Sequence, residues 1–541
     1  MNVPSASARQ APSLETTGSS SWFDAHATTA ALVIAAVVRL ALGAFIPLAP
    51  DEAYYWDWSR HLAAGYFDHP PAIAILVRGG TMLLGDTPLG VRLLPQLAAL
   101  VAMFVSVSLA SRVGGPLGAR WAALTTTALP IAAVGLLVAT PDAPLLMMTS
   151  FTLLAMLRAI GAVEGTRALG WWLVAGFCLG VGFLAKYTAV ILPLGALAAL
   201  LTHRALRPQL TKPGPYVAGM LAIAVTAPVV LWNAHHDWVS FAFQLQHGLG
   251  RARGSAALRE LTYLGGIAFL STPILCMLLA MAVGRALRKQ LGAGAYLLAV
   301  TATTWVAFFA YSSLRHRPEP NWSAPALVAA VPLIALGMSP RAAAWLRGGV
   351  AFGIGVALLV YAGLLFPGAL PSAARGMVTR TFDWRRLADD VTPARRELAG
   401  AAPNGSPLPS NGGLATPVHR TWIAADRYQI AAELAFVLPD HPAVFALNLG
   451  GRPNQYDYWP GFPDRASIGD DMLLVLEVRA TSSYVIDKAT PSFTSVTQLE
   501  RGRADGYRLW RLRGWRGGWP RTPMPTRSNT STTVARPATS R

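Results

Sequence analysis

The sequence predicts a polytopic α-helical membrane protein of about eleven transmembrane helices, within a range of eleven to thirteen, followed by a small extracytoplasmic α/β domain. Three observations carry this. Of 541 residues, 53% are hydrophobic and only 13% charged, and the mean hydropathy is +0.40, far from the average of soluble domains. Apolar stretches of spanning or near-spanning length recur from residue 27 to residue 368. After Pro367 the hydropathy drops, and short helix-like and strand-like pieces alternate with Gly, Pro and Asn.

Residues 1–26 read as a cytoplasmic N-terminal segment. The first apolar stretch, 27–49, is followed by too many others to be merely a cleaved signal peptide, so it reads as a retained anchor, with Arg39 tolerable in a helix that packs against others. The remaining stretches fall at 89–111, 117–139, 143–161, 170–185, 188–202, 214–232, 262–283, 291–311, 323–339 and 348–368. The fifth and sixth of the eleven are short for a span of about 20 residues and are split only by Lys186 and Tyr187. Within the fifth, Gly176 and Gly180 have the spacing that lets helices approach closely.

Residues 369–515 form the predicted α/β domain, built from runs such as AADRYQIAAELAFVL, AVFALNL, DMLLVLEV and SYVIDK, with a loop rich in Gly, Pro, Asn and Ser at 400–417. Residues 516–541 read as a disordered basic tail. The formal charge of +18 owes much to this end, since residues 501–541 hold ten arginines against the single Asp505. A basic face near a membrane points to anionic lipid; nucleic acid is not an expected partner. With only Cys178 and Cys276, both in predicted helices, neither disulfide stapling nor a cysteine metal site is expected.

Orientation follows from alternate loops. Arg112, Arg158, Arg204, Arg288, Lys289 and Arg341 are among the cations on one side, with Glu164 the only acid there, so that side is the cytoplasm. Asp51, Glu52, Asp68, Asp142, Asp237 and Glu319 lie on the other face, which an odd helix count also gives to the C-terminal domain. The expected location is therefore the bacterial inner membrane, with the unusual polar chemistry outside.

Four outer loops carry that chemistry: PDEAYYWDWS with GYFDHPP, ATPDAPL, WNAHHDWVSFAFQLQHG, and YSSLRHRPEPNW. A carboxylate can take a proton from an attacking hydroxyl, while Arg, Lys or a divalent cation stabilises a departing phosphate. This is the inventory that glycosyl transfer from a lipid-phosphate sugar needs. Walker-type phosphate loops are absent, and GLGRARG at 248–254 has the wrong spacing, so no nucleotide cofactor is expected. Arg315 and Arg317 read as phosphate ligands, or as anchors for lipid headgroups. Lys186 reads equally as a phosphate clamp or a snorkelling helix-end residue. Tyr54, Tyr55, Trp56 and Trp58 suit an interfacial belt better than a sugar platform.

The order and spacing of PDEAYYWDWS, GYFDHPP, TPDAPL, LAKYTAV, WNAHHDWVSFAFQ, EPNW, DRYQIAAELAF and GRPNQYDYWP, over about residues 27–460, resemble a bacterial family of polytopic glycosyltransferases. It is the group of the lipid A aminoarabinose transferase, the rhizobial galacturonosyltransferases and the protein O-mannosyltransferases, which share the GT-C membrane fold. The resemblance implies an inverting transfer from a polyprenyl-phosphate sugar donor to a lipid A, envelope-glycan or protein acceptor. It makes Asp51, with Glu52, the acidic motif and Asp51 the catalytic base, and it matches Asp142 to the second loop acid. Tyr66, Asp68 and His69 line up with the tyrosine, acid and base of a YFEKPP motif. Here His69 stands for the family lysine, so a fixed charge is replaced by one that titrates near neutrality. Asp68 and His247, close together in such folds, make a candidate divalent-metal set with His235 and His236, which alone would be solvated loop residues.

Two other classes compete. A proton-coupled transporter could use acids and histidines among helices, but such sites lie near the bilayer midplane between related halves, and no internal repeat is visible. A non-catalytic envelope assembly protein would not need Asp51 and Asp142 in one cavity, whereas transfer would.

Overall fold

The computed structural model describes residues 18–162, 165–250, 254–288, 291–400, 420–449, 451–478, 482–500, 504 and 506–520. Residues 1–17, Glu164, Lys289, nearly all of the 400–417 loop, Asp505 and the tail beyond residue 520 lie outside these.

Helix α1 (Gly18–Phe45) leads through a short loop into α2 (Pro50–Ser59), α3 (Ala72–Leu84) and the long α4 (Pro88–Ala128). The short α5 (Pro130–Gly135) precedes α6 (Asp142–Ile160), α7 (Thr166–Ala185), α8 (Ile191–Thr202), α9 (Pro213–His235) and α10 (Val239–Leu249). Helices α11 (Ala256–Ser271), α12 (Pro273–Leu287), α13 (Ala293–Ser313), α14 (Ala324–Ala330) and α15 (Pro340–Leu365) complete the helical unit. Proline opens α2, α4, α9, α12 and α15, where its missing N–H is no loss and its fixed φ suits the first turn. Thr87, Ser255, Thr272 and Ser339 accept N–H groups of the first turns of α4, α11, α12 and α15.

Seven described helices are long and apolar enough to cross a membrane, or eight if α11 and α12, bent by 101° at their junction, count as one span. The expected eleven differ from this for local reasons. Helix α4 holds the stretch 89–111 and most of 117–139 as two limbs that meet at Gly115, whose φ of 65° and ψ of −162° break the helical run before Pro116. Stretch 188–202 is a 3-10 turn followed by only the 12 residues of α8, and 323–339 is α14 flanked by 3-10 turns. Neither is a continuous helix of spanning length.

Past α15 come α16 (Ser372–Phe382) and α17 (Arg385–Leu398), then β1 (Thr421–Ala425), α18 (Tyr428–Val437), β2 (Val444–Ala446), β3 (Asp471–Glu477), α19 (Ser482–Ala489), β4 (Phe493–Gln498) and β5 (Tyr507–Trp515). The five strands form one sheet in the order β2-β1-β3-β5-β4. Strand β1 pairs in parallel with β2 and β3, and β5 pairs antiparallel with β3 and β4. Alternation along the strands divides the sheet between two cores: Ile423, Ala425, Leu473 and Val475 face one, while Ala424, Met472, Leu474 and Leu476 face the other. The uninterrupted MLLVL of β3 follows from burial on both faces.

The first of those cores does not stop at the sheet. It takes in α17 and α18 and continues into α2 and α3, so that Ala53, Trp56 and Val77 share one apolar cluster with Val391, Ile430 and Leu434. Trp56 and Trp58 are fully buried there, and Tyr54 and Tyr55 are only 2% and 7% exposed. The aromatic run of α2 is thus a packing surface beneath the C-terminal unit and not a membrane-interface belt.

Candidate active site

Arg92 on α4, fully buried, organises the start of the site. Its guanidinium donates to the carbonyls of Gly43, Ile46 and Pro47, where α1 ends, and forks onto Glu52 at 2.7 and 2.5 Å. Glu52 also accepts the backbone N–H groups of Ala49 and Ala139, at 2.9 and 2.8 Å. A buried carboxylate so fully engaged by a charge-assisted pair has no capacity left for a reacting proton. Glu52, grouped with Asp51 as catalytic on sequence grounds, is instead the tether that fixes the N-terminus of α2.

That tether presents Asp51, one residue earlier, to a cavity of about 790 Å³. Asp142, at the start of α6, lines the same cavity and is ion-paired at 2.7 Å with Lys186, the residue that ends α7. Lys186 is therefore turned inward onto an acid instead of snorkelling. Asp51, Asp68, His69, Asp142, Lys186 and His247 all line this one space.

The far wall comes from the C-terminal unit. Arg452 reaches across to Asp68 at 2.6 Å, and its guanidinium lies over the rings of Phe243 and Tyr428 at 4.8 and 5.6 Å. Asp68 accepts the Tyr54 hydroxyl at 2.8 Å through its other carboxyl oxygen, while Tyr54 accepts the backbone N–H of Gln455. The Gln455 side chain in turn accepts the N–H of Phe67. Tyr428 donates to Asp51 at 3.4 Å. Asp51 is open to the cavity yet surrounded by protein. Desolvation raises its carboxyl above the usual carboxylate range and the charge of Asp68 adds to this, partly offset by Arg452 and the Tyr428 hydroxyl.

His69 does not supply the titratable charge expected of it. Burial, then Lys186, Arg452 and His247, hold its imidazole well below the usual histidine value, so it is neutral. His247 is likewise pushed down to about 4, by burial first and then Arg452 and His316. The cations of the cavity are Lys186 and Arg452.

The remaining expected positions lie elsewhere. Tyr66 is fully buried, stacked on Trp58 at 4.4 Å, and its hydroxyl is taken by the carbonyls of Trp58 and His61 and the N–H of Ala63. It shapes the loop and does not line the cavity; Tyr54 and Tyr55 do. Arg315 and Arg317 are exposed and outside the lining, with Arg315 over the ring of Tyr311. The carbonyls at the end of α13 are bound by Arg259 instead, whose guanidinium meets Ser313 and Leu314.

The candidate metal set does not assemble. His236 stacks on Trp232 at 4.0 Å and bonds its carbonyl, His235 is exposed at the end of α9, and Asp68 is committed to Arg452. Among the described residues no group of three or more His, Cys, Asp or Glu is placed to hold a metal ion. The residues missed on sequence grounds are Arg452, Tyr428 and Gln455. Their runs, DRYQIAAELAF and GRPNQYDYWP, were visible only as resemblance, with no local pattern to mark them.

Residues 68–232 match the family described as dolichyl-phosphate-mannose-protein mannosyltransferase. Over 213 residues the chain is 32% identical to the lipid A galacturonosyltransferase RgtD of Rhizobium johnstonii, covering 37% of this chain and 44% of that protein. It is 26% identical over 215 residues to the undecaprenyl phosphate-α-4-amino-4-deoxy-L-arabinose arabinosyl transferase of Pseudomonas savastanoi pv. phaseolicola, covering 37% and 40%. The chain thus spans about half the length of the curated relatives it matches. Among solved structures, ArnT from Cupriavidus metallidurans bound to undecaprenyl phosphate superposes with a TM-score of 0.63 at 17% identity, over 91% of this chain and 98% of that one. The chain shares the fold of that structure along nearly its whole length, and its long apolar helices make it a multi-pass membrane protein.

Proposed function

We propose that the protein is a glycosyltransferase that moves a sugar from a polyprenyl-phosphate donor to an envelope acceptor, with inversion at the anomeric carbon. The observation that carries this reading is that Asp51 and Asp142, from loops far apart in sequence, line one cavity with two cations, Lys186 and Arg452. The names of the relatives, transferases acting on lipid A or from undecaprenyl phosphate, support the same donor and acceptor classes.

In the proposed step the Asp51 carboxylate accepts the proton of the acceptor hydroxyl as its oxygen attacks the anomeric carbon. The bond from that carbon to the phosphate oxygen breaks, and the electron pair leaves with the polyprenyl phosphate. Lys186 and Arg452 stabilise the charge gathered there, while Asp142 holds Lys186 in place. The donor carries its own leaving group, so no nucleotide takes part. No metal step is included, because Asp68 is committed to Arg452 and neither His235 nor His236 lines the cavity.

The bias of Arg and Lys in alternate loops supports placing the cavity, and the C-terminal unit from about residue 369 to 515, on the extracytoplasmic face of the bacterial inner membrane. Residues 27–368 are then the membrane catalytic unit, residues 1–26 a cytoplasmic segment, and 516–541 a basic tail suited to anionic lipid.

The test is Asp51→Asn in the purified full chain, assayed with undecaprenyl-phosphate-linked galacturonic acid and aminoarabinose as donors and extracted lipid A as acceptor. Amide replacement removes the base at nearly constant shape, and transfer should drop by at least about a hundredfold with thermal stability unchanged. Wild-type turnover by the variant would sink the base assignment. A wild-type chain that transfers neither sugar to lipid A, to other extracted envelope glycans or to protein would sink the function.

A further inference from the structure

Glu433 is a buried carboxyl that the proposed chemistry does not use. It lies on α18 among Ala432, Leu434 and Ala435, all buried, and is only 2% exposed. Its Oε1 meets no hydrogen-bond donor among the described residues. Helix α18 is the element that covers α2: the ring of Tyr428 rests against Tyr54 at 4.5 Å, and Phe436 meets Trp56 edge-on at 5.1 Å. Glu433 falls between these two contacts in the sequence, inside the docking surface.

The charged and titratable groups that face it are Glu52 and Asp51 of α2, Arg92 of α4 and Tyr507 of β5. From α17, β1 and β2, which also pack on α18, the core receives apolar side chains such as Val391, Ile423 and Val444. Among these groups Arg92 is the one cation, and it has nothing left to offer. The N–H groups of its guanidinium are already taken by the carbonyls of Gly43, Ile46 and Pro47 and by both oxygens of Glu52. An ionised Glu433 would be a third carboxylate beside a saturated guanidinium, whereas a neutral carboxyl adds no charge to the core.

We infer that the C-terminal unit docks on α2 only while Glu433 carries its proton, so that docking, and with it the closed cavity, weakens as pH rises. With α18 undocked, Glu433 meets water and ionises in the ordinary carboxylate range. In the docked protein burial first, then the charge of Glu52, hold the proton on well above that range; Arg92 offsets part of this and Asp51 adds to it. At acid pH both states are protonated, and docking is at full strength. Above the ordinary range the undocked unit has released the proton and the docked unit has not. The docking equilibrium then falls about tenfold per pH unit, until Glu433 ionises in place. Undocking carries Tyr428 and Arg452 away from Asp51 and Asp68, which removes one wall of the cavity. The proton-linked docking stands on Glu433 itself; its effect on transfer rests on the proposed function.

The test is hydrogen exchange in the full-length protein in detergent, read as protection factors so that the intrinsic pH dependence of exchange divides out. Between about pH 6 and about pH 8, protection of α2 and α18 in the wild type should fall by about a hundredfold, with α6 and α13 unchanged. Glu433→Gln keeps the shape and has no proton to lose, so its protection over the same range should vary by less than about threefold. Glu433→Met, apolar and of similar length, should behave in the same way and decides the question if the amide variant docks poorly. Wild-type protection that does not change with pH, an equal fall in α6 and α13, or the wild-type fall repeated in the variants would overturn the inference. On the proposed function, kcat/KM also declines on the alkaline side in the wild type and not in the variants. A wild-type chain that transfers no sugar would instead defeat that function, and the exchange result would still decide the role of Glu433.

Discussion

Asp51 lies between a carboxylate, Asp68, that discourages its ionisation and a guanidinium, Arg452, that favours it. On the proposed mechanism transfer needs Asp51 ionised, so activity rises with pH through an acidic limb placed above the usual carboxylate range. Asp68→Asn removes the repelling charge and frees Arg452 to act on Asp51 alone. The Asp51 pKa then falls and the limb moves to lower pH; Arg452→Ala moves it the other way. A pH–kcat/KM profile of each variant checks this, and a shift of the same sign in both would exclude Asp51 as the group being titrated. Asp51, Asp142 and Lys186, which line the cavity, stand out in the sequence because they are charges beside apolar stretches. Arg452 does not, since an arginine in a soluble-looking run nearly four hundred residues from Asp68 carries no local mark of its partner. His69 and Glu52 were misread for a related reason: sequence shows a titratable side chain but not the burial and neighbours that hold an imidazole neutral or commit a carboxylate to Arg92.

Elements were read well where hydropathy was continuous and poorly where a break was conformational. The left-handed turn at Gly115, the bend between α11 and α12, and the short α8 and α14 are all set by backbone geometry that an apolar run conceals. Small-residue spacing, by contrast, was a faithful sign. A methyl group on Gly176 would collide with the Ala218 backbone of α9, and one on Gly180 would lie 2.6 Å from the Val225 side chain. Helix α7 therefore packs on α9 at a distance only glycine allows, and this contact holds Lys186, at the end of α7, against Asp142. Gly176→Leu should cost about 1–3 kcal/mol through overpacking and reduce transfer with it. Gly170→Leu, on the same helix where a Cβ meets nothing, is the control. Equal thermal stability of the two variants in detergent would refute close packing at Gly176.

At the scale of the whole molecule the C-terminal unit is part of the site and not an appendage. The helical unit has its own large core around Leu109, Leu153, Leu298 and Trp305, whereas α2, which carries Asp51, is packed in the core of the sheet unit. The base is thus positioned from both directions: Arg92 and Glu52 fix the start of α2 to the helices, while α18 covers the face of α2 turned toward the C-terminal unit. Arg452 and Tyr428 then close the cavity from that side, and Gln455 ties Tyr54 and Phe67 to the C-terminal unit. Undocking α18 should abolish transfer without unfolding the membrane helices. Leu434, fully buried on α18 in the apolar cluster that α2 shares with the sheet, is the place to apply it, because Leu434→Asp buries a carboxylate with no partner and costs several kcal/mol in that core. The expected outcome is loss of transfer by at least about a hundredfold, with hydrogen exchange accelerated in α2 and α18 and unchanged in α6 and α13. Retained transfer, or exchange accelerated equally throughout the helices, would show that the site does not depend on this docking.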